Sequence, residues 1–129
     1  MLLIVSNIEK INPSEFQLSQ NYPNPFRKKT KIKYCVPEMS KVEITLFNSS
    51  GEMIERLVNQ QHEPGVYEIQ FDAYNFGGSR IKSGIYYYQM KANDYTSTKA
   101  MVYSRSFFAN LLRFFDRKKF NYFLFINSC

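Results

Sequence analysis

A chain of 129 residues has room for one domain with flanking sequence, since a single core commonly organises about 100–200 residues. Its 44% hydrophobic content, ten Tyr, twelve Phe and absent Trp describe a globular chain rich in strand formers and exclude a disordered one. Two cysteines without C-x-x-C spacing exclude a disulfide framework, and one histidine with no cysteine near it in sequence supplies no metal-ligand set.

In chain order, Met1 to Val5 is an apolar run of five residues with no preceding positive charge. It falls short of the roughly 7–15 apolar residues of a secretory signal and of the about 18 needed to span a membrane. Were such a chain exported, its export signal would be expected on a larger polypeptide, and this sequence would be a fragment or a truncated reading frame. Residues 6–14 are polar and contain Asn12-Pro13-Ser14, so residues 1–13 read as a linker remnant and the domain is expected to begin at residue 14. Phe16 and Leu18 lead into Gln20-Asn21-Tyr22-Pro23-Asn24-Pro25-Phe26, where two prolines fix φ and push the preceding residue toward extended geometry. That predicts an extended edge segment anchored by Tyr22 and Phe26.

Thr30 to Val36 alternates, with Ile32, Tyr34 and Val36 on one face and Lys31, Lys33 and Cys35 on the other, the pattern of a half-buried strand. Cys35 is thereby expected to be an unpaired, exposed thiol. Lys41 to Phe47 repeats the pattern before the turn residues Asn48-Ser49-Ser50-Gly51. Met53 to Asn59 is less regular, and its Leu57-Val58 pair points to a bulged strand rather than a helical turn. His62 is expected to face solvent in the loop before Pro64-Gly65. Tyr67, Ile69 and Phe71 then form a buried aromatic face, and Asp72 to Ser83 is a loop. Gly84 opens a strand with Tyr86, Tyr88 and Met90 on one face and Tyr87 on the other, and Tyr95 to Tyr103 closes the series. Six to seven short strands with turns between them predict an all-β, immunoglobulin-like antiparallel sandwich.

Catalysis has little to build on. One His in a turn region and no G-x-S-x-G motif assemble no nucleophile and base, so no catalytic residue is expected. Asp72, Asn75 and Gly77-Gly78 miss the calcium-loop spacing, and no Gly-rich loop opens a helix for phosphate. Neither a metal nor a cofactor is expected.

Four stretches resemble the C-terminal sorting domain of type IX secretion (type A), a family related to the immunoglobulin-like domain of flagellar hook-capping proteins. The run from Phe16 to Phe26, with Gln20, Asn21, Tyr22, Pro23, Asn24, Pro25 and Phe26, resembles the family's opening signature, and Thr30-x-Ile32-x-Tyr34-x-Val36-Pro37 continues it. Val42-x-Ile44-x-Leu46-Phe47-Asn48 with Gly51 is similar to its middle hairpin, and Pro64-Gly65-x-Tyr67-x-Ile69-x-Phe71-Asp72 to the next strand. Ser83-Gly84-Ile85-Tyr86-Tyr87-Tyr88 and Thr98-Lys99-x-Met101-Val102 look like the last two strands. The likeness spans residues 14–103. It departs at Arg27-Lys28, where the family often has Asn-Pro, and at Phe71-Asp72-Ala73, where it often has Trp-Asp-Gly.

The resemblance implies a non-catalytic address on a cargo protein, read by an outer-membrane translocon and often removed by a sortase-like protease. The product would be delivered through the periplasm to the cell surface or medium, and the N-terminal cargo would lie outside this chain. Two other readings compete: a carbohydrate-binding or adhesion sandwich, given Tyr87, and a hook-cap-like structural domain that associates through sheet edges.

The end of the chain is atypical for that family. Of the net charge of +6, residues 104–129 contribute +4 through Arg105, Arg113, Arg117, Lys118 and Lys119 against Asp116, which leaves +2 on residues 1–103. So balanced a body reads as a solvated surface, and no nucleic-acid partner is expected. Phe108, Leu111, Leu112 and Phe115 have helical spacing, so this basic aromatic tail reads either as an amphipathic helix on a membrane surface or, the favoured alternative, as a read-through end without selected function.

Overall fold

The computed structural model describes residues 4–9, 13–74 and 81–105, with side chains from Pro13 onward. Eight strands follow one another: β1 (Ile4–Glu9), β2 (Gln17–Leu18), β3 (Lys29–Val36), β4 (Ser40–Phe47), β5 (Met53–His62), β6 (Gly65–Asp72), β7 (Gly84–Ala92) and β8 (Tyr95–Tyr103). They form two four-stranded antiparallel sheets, ordered β1-β6-β3-β2 and β5-β4-β7-β8. The expected all-β sandwich is what the chain forms. β1 is the addition to it: residues read as linker pair with β6, from Ile4 opposite Gln70 to Glu9 opposite Val66.

Alternation builds the core. Ile32, Tyr34 and Val36 of β3, Val42, Ile44 and Leu46 of β4, Tyr67, Ile69 and Phe71 of β6, and Tyr86, Tyr88 and Met90 of β7 all belong to one buried cluster between the sheets. Each sheet commits one face to that layer because successive side chains point to opposite sides. β5 departs from the pattern for a physical reason. Its register against β4 slips between Ile44 and Thr45 and again between Leu46 and Phe47, so Leu57 and Ile54 are inserted residues. The extra residue lets the adjacent Leu57 and Val58 both face inward.

The β4–β5 turn is closed by Asn48, whose Oδ1 accepts hydrogen bonds from the N–H groups of Ser50 (2.9 Å) and Glu52 (3.0 Å). Gly51 takes φ +88°, and a Cβ there would touch nothing, so glycine is needed for backbone conformation rather than for space.

Two expectations are corrected. His62 ends β5 opposite Ser40 and is 3% exposed, not a solvent-facing loop residue. Its ring lies 4.3 Å from that of Tyr67 and 5.6 Å from that of Tyr34, and Nε2 shares a 2.7 Å hydrogen bond with the Tyr34 hydroxyl. The strand simply runs three residues past Asn59, and the inward phase ends on the histidine. Cys35 is likewise fully buried rather than exposed, and it is disulfide-bonded rather than an unpaired thiol. Alternation placed it correctly on the face opposite Tyr34. That face is dry at this point, where Cys35 sits between Gln17 and Val66.

Candidate functional site

The opening signature joins the two sheets. At its start, the Ser19 N–H donates to Lys33 O, and Tyr22 exchanges two backbone hydrogen bonds of 2.9 Å with Lys31 of β3, which ties it to the first sheet. Four residues later Phe26 pairs in parallel with Tyr103 at the end of β8. Its N–H donates to Val102 O and its carbonyl accepts from the Ser104 N–H, which ties it to the second sheet. Pro23 and Pro25 occupy the crossing, where the chain leaves one ladder for the other and a missing N–H costs no ladder bond.

The polar side chains of the signature are used internally. Asn21 is fully buried. Its Nδ2 donates to Pro23 O (3.1 Å) and Thr30 Oγ1 (3.0 Å), while Oδ1 accepts from Gln20 Nε2 (2.7 Å). The Thr30 hydroxyl donates to Pro23 O at 2.8 Å. Gln20 Nε2 also donates to Ala100 O, and Asn24 Oδ1 accepts from the Val102 N–H at 2.9 Å. Phe26 fills the space beneath, edge-on to Phe71 at 6.1 Å and tilted against Tyr103 at 5.2 Å. The signature and the Lys99-x-Met101-Val102 strand, about 78 residues apart in sequence, therefore form one clasp. Met101 is buried beneath it and Lys99 lies opposite Tyr88.

Other signature residues lie elsewhere and serve turns. Gly65 opens β6 opposite Val36, and Asp72 closes that strand opposite Lys29, with Oδ1 accepting from the Tyr74 N–H. Gly84 opens β7 with φ +155°, and the Ser83 hydroxyl accepts from the Arg105 N–H. Gly51 stays in its hairpin, remote from the clasp. The expected tail helix falls on residues outside those described, as do residues 75–80 of the Asp72–Ser83 loop.

Two tyrosine corners were not anticipated. The Tyr67 hydroxyl donates to Glu63 O and the Tyr86 hydroxyl to Lys82 O, each four residues upstream. Burial raises the pKa of both, followed by nearby Glu63 for Tyr67 and by Tyr103 for Tyr86, so both remain donors. The signal was present in sequence: Gly65-Val66-Tyr67 and Gly84-Ile85-Tyr86 repeat Gly-aliphatic-Tyr at strand starts. Tyr88 is a third anchor. Its hydroxyl, pushed strongly upward by burial, donates to Ser19 O and pins the stretch before the signature.

What the clasp leaves outward is mostly apolar. A cleft of about 380 Å³ beside it is lined by Tyr22, Pro23, Thr30, Lys31, Glu68 and Gln70. An ion pair between Lys31 and Glu68 at 3.6 Å crosses its edge. Of the described aromatics only Tyr87 counts as exposed, at 38%, so they form no row of sugar-stacking rings. The described residues also hold no cluster of three metal-ligating side chains.

Residues 20–104 match the family described as "Secretion system C-terminal sorting domain". The chain belongs to this family. The clasp thus joins the first and last stretches of the matched residues. Two solved structures resemble it. The dimeric latent PorU of Porphyromonas gingivalis aligns with TM-score 0.56 and 17% identity over 73% of this chain. PorZ of the same organism, an essential bacterial surface component of the type-IX secretion system, aligns with TM-score 0.47 and 18% identity over 70% of this chain. The sorting domain spans only 10% and 11% of those two proteins, and at such identity the PorU likeness speaks for the fold. No curated protein matches the chain.

Proposed function

We propose that this type IX sorting domain is read by the outer-membrane translocon as a folded unit, through the outward side of the clasp. A cargo carried N-terminal to it would thereby be delivered to the cell surface or medium. The carrying observation is the use of the signature's polar groups. Asn21, Asn24 and Thr30 are spent on internal hydrogen bonds, so an unfolded signature would present different chemistry from the folded one. What a partner meets is shape and apolar surface at Tyr22 and Pro23, bordered by Lys29 and Lys31. The module has no catalytic part in this reading, and removal by a sortase-like protease would follow translocation. Family membership supports the sorting role; the nature of the cargo lies outside the chain.

The test fuses residues 1–129, and separately 1–105, behind a reporter bearing a signal peptide in a type IX-competent bacterium. Delivery of the reporter, lost when Phe26→Ala opens the clasp, is the expected result. Folded reporter retained in the periplasm by both fusions would sink the proposal.

A further inference from the structure

We propose that one end of the sandwich is a docking surface for an anionic lipid membrane. Arg27, Lys28, Lys29, Lys82 and Arg105 meet the phosphate groups there, and Met53 and Ile85 enter the apolar boundary beneath them. Antiparallel pairing sends successive connections to alternate ends of the strands, and the two ends carry opposite charge. At one end the residues before β2 and the β3–β4, β5–β6 and β7–β8 connections hold Glu15, Glu38, Glu63 and Asp94, all exposed, with no basic side chain among the described residues of those connections. At the other end Arg27, Lys28, Lys29, Lys82 and Arg105 are all exposed, against Glu52 and Asp72. Asp72 is buried, with Oδ1 accepting from the Tyr74 N–H. The described charges thus leave +3 (5 − 2) at one end and −4 at the other.

Backbone hydrogen bonds gather the five cations. Phe26 O accepts from the Ser104 N–H and Lys28 O from the Ala73 N–H, each at 3.0 Å, which sets Arg27 and Arg105 beside one another and Lys28 beside the end of β6. The Arg105 N–H donates to Ser83 Oγ at 3.2 Å, which brings Lys82 to the same edge. Lys28 lies 5.6 Å from the centre of the Tyr74 ring, a contact that keeps its full charge.

Charge alone would suit any polyanion; the apolar side chains point to lipid. Met53 is 60% exposed and Ile85 48%, and they stand at the starts of β5 and β7, on the basic end. An open groove of about 570 Å³ runs between these starts, lined by Asn48, Ser49, Ser50, Lys82, Ser83 and Ile85. Hydroxyls and an ammonium beside protruding apolar groups are the chemistry of a membrane interface, where basic side chains attract anionic headgroups and apolar ones are buried. Met39, also exposed, sits at the acidic end next to Glu38. The polarity fixes orientation. The eight residues of β3 separate the ends by roughly 25 Å, about three Debye lengths in physiological salt, so the acidic end is screened from the lipid when the basic end faces it. The proposal does not rest on the sorting role.

The test sediments the full chain with vesicles of phosphatidylglycerol or of phosphatidylcholine in physiological salt. Binding to phosphatidylglycerol is expected to be stronger by roughly tenfold or more. The triple variant Arg27→Glu/Lys28→Glu/Lys82→Glu is expected to lose about a hundredfold of that binding, and Arg27→Gln/Lys28→Gln/Lys82→Gln, which adds no repulsion, to weaken it in the same direction. Met53→Ser is expected to bind several-fold more weakly, whereas Glu38→Gln/Glu63→Gln binds as wild type. Unchanged binding by both triple variants overturns the proposal, because the attraction then lies elsewhere in the chain. Binding to soluble polyglutamate as tight as to the vesicles, with Met53→Ser neutral, also overturns it and assigns the basic end to an acidic polypeptide. No readout involves secretion, so failure here is distinguishable from failure of sorting.

Discussion

At Asn21 a single amide makes three hydrogen bonds while fully buried, so the signature's stability concentrates there. Removing a buried hydrogen-bonding group costs about 1–3 kcal/mol, because its partners are left without water or a replacement. Asn21→Ala is therefore expected to lower the urea-unfolding free energy by about 2 kcal/mol, against about 1 kcal/mol for Gln20→Ala, which gives up an exposed bond to Ala100 O and a part-buried one to Asn21 Oδ1. Equal losses at the two positions would contradict this ranking. Gly51 offers a cleaner separation of causes. With φ +88° and open space around the missing Cβ, Gly51→Ala carries only the backbone cost of a left-handed L-residue, about 1–2 kcal/mol. An unchanged denaturation midpoint would mean that the turn relaxes into another type.

The end of β5 is an element whose stability depends on pH. Burial lowers the pKa of His62 from its ordinary 6.5, with the backbone at Gln61 and Gln60 pulling the other way. Nε2 is occupied by Tyr34, and buried Nδ1 makes no hydrogen bond of good geometry, so the backbone's pull does not offset the cost of burying a charged ring. The folded state thus binds this proton less readily than the unfolded state. The stabilisation is full above about 6.5 and is lost as pH falls through the window beneath it. Wild type is expected to lose more stability than His62→Gln between pH 7.5 and pH 5, read as the shift in urea midpoint of each. Parallel shifts would remove His62 from the pH response. Such a role was not legible in the sequence, whereas the strands themselves were. Period-two alternation identifies β3, β4, β6, β7 and β8, because each commits one face to the core. At β5 two inserted residues break that period, and the alternating pattern stops before the histidine. Alternation also assigns Cys35 to the correct face, yet it carries no information on whether that face is wet. The clasp shows a further limit. Its residues resemble a family signature in sequence, but the bond from Asn24 to Val102 spans 78 positions and no local pattern encodes it.

For the whole molecule, the edges of the sheets decide whether the domain stays monomeric. Order β1-β6-β3-β2 places β6 inside the first sheet only because β1 pairs with it from Ile4 to Glu9. Without β1, the backbone of Val66 to Gln70 would present unpaired N–H and C=O groups on a strand carrying Val66, Tyr67 and Ile69. Apolar strands with open ladders recruit other chains. The opposite edge is protected differently: β2 is two residues long, and the signature leaves the sheet immediately after Tyr22. A chain lacking residues 1–11 is therefore expected to melt more than about 5 °C below the full chain, since 1 kcal/mol corresponds to roughly 4–8 °C in a domain of this size. It should also gain a concentration-dependent dimer in sedimentation or light scattering. The two effects must appear together. A lower melting temperature without dimer would mean that β6 closes its edge on residues of its own chain. A dimer without loss of stability would mean that the second copy replaces β1 strand for strand, and the full chain would then be held monomeric by β1 alone.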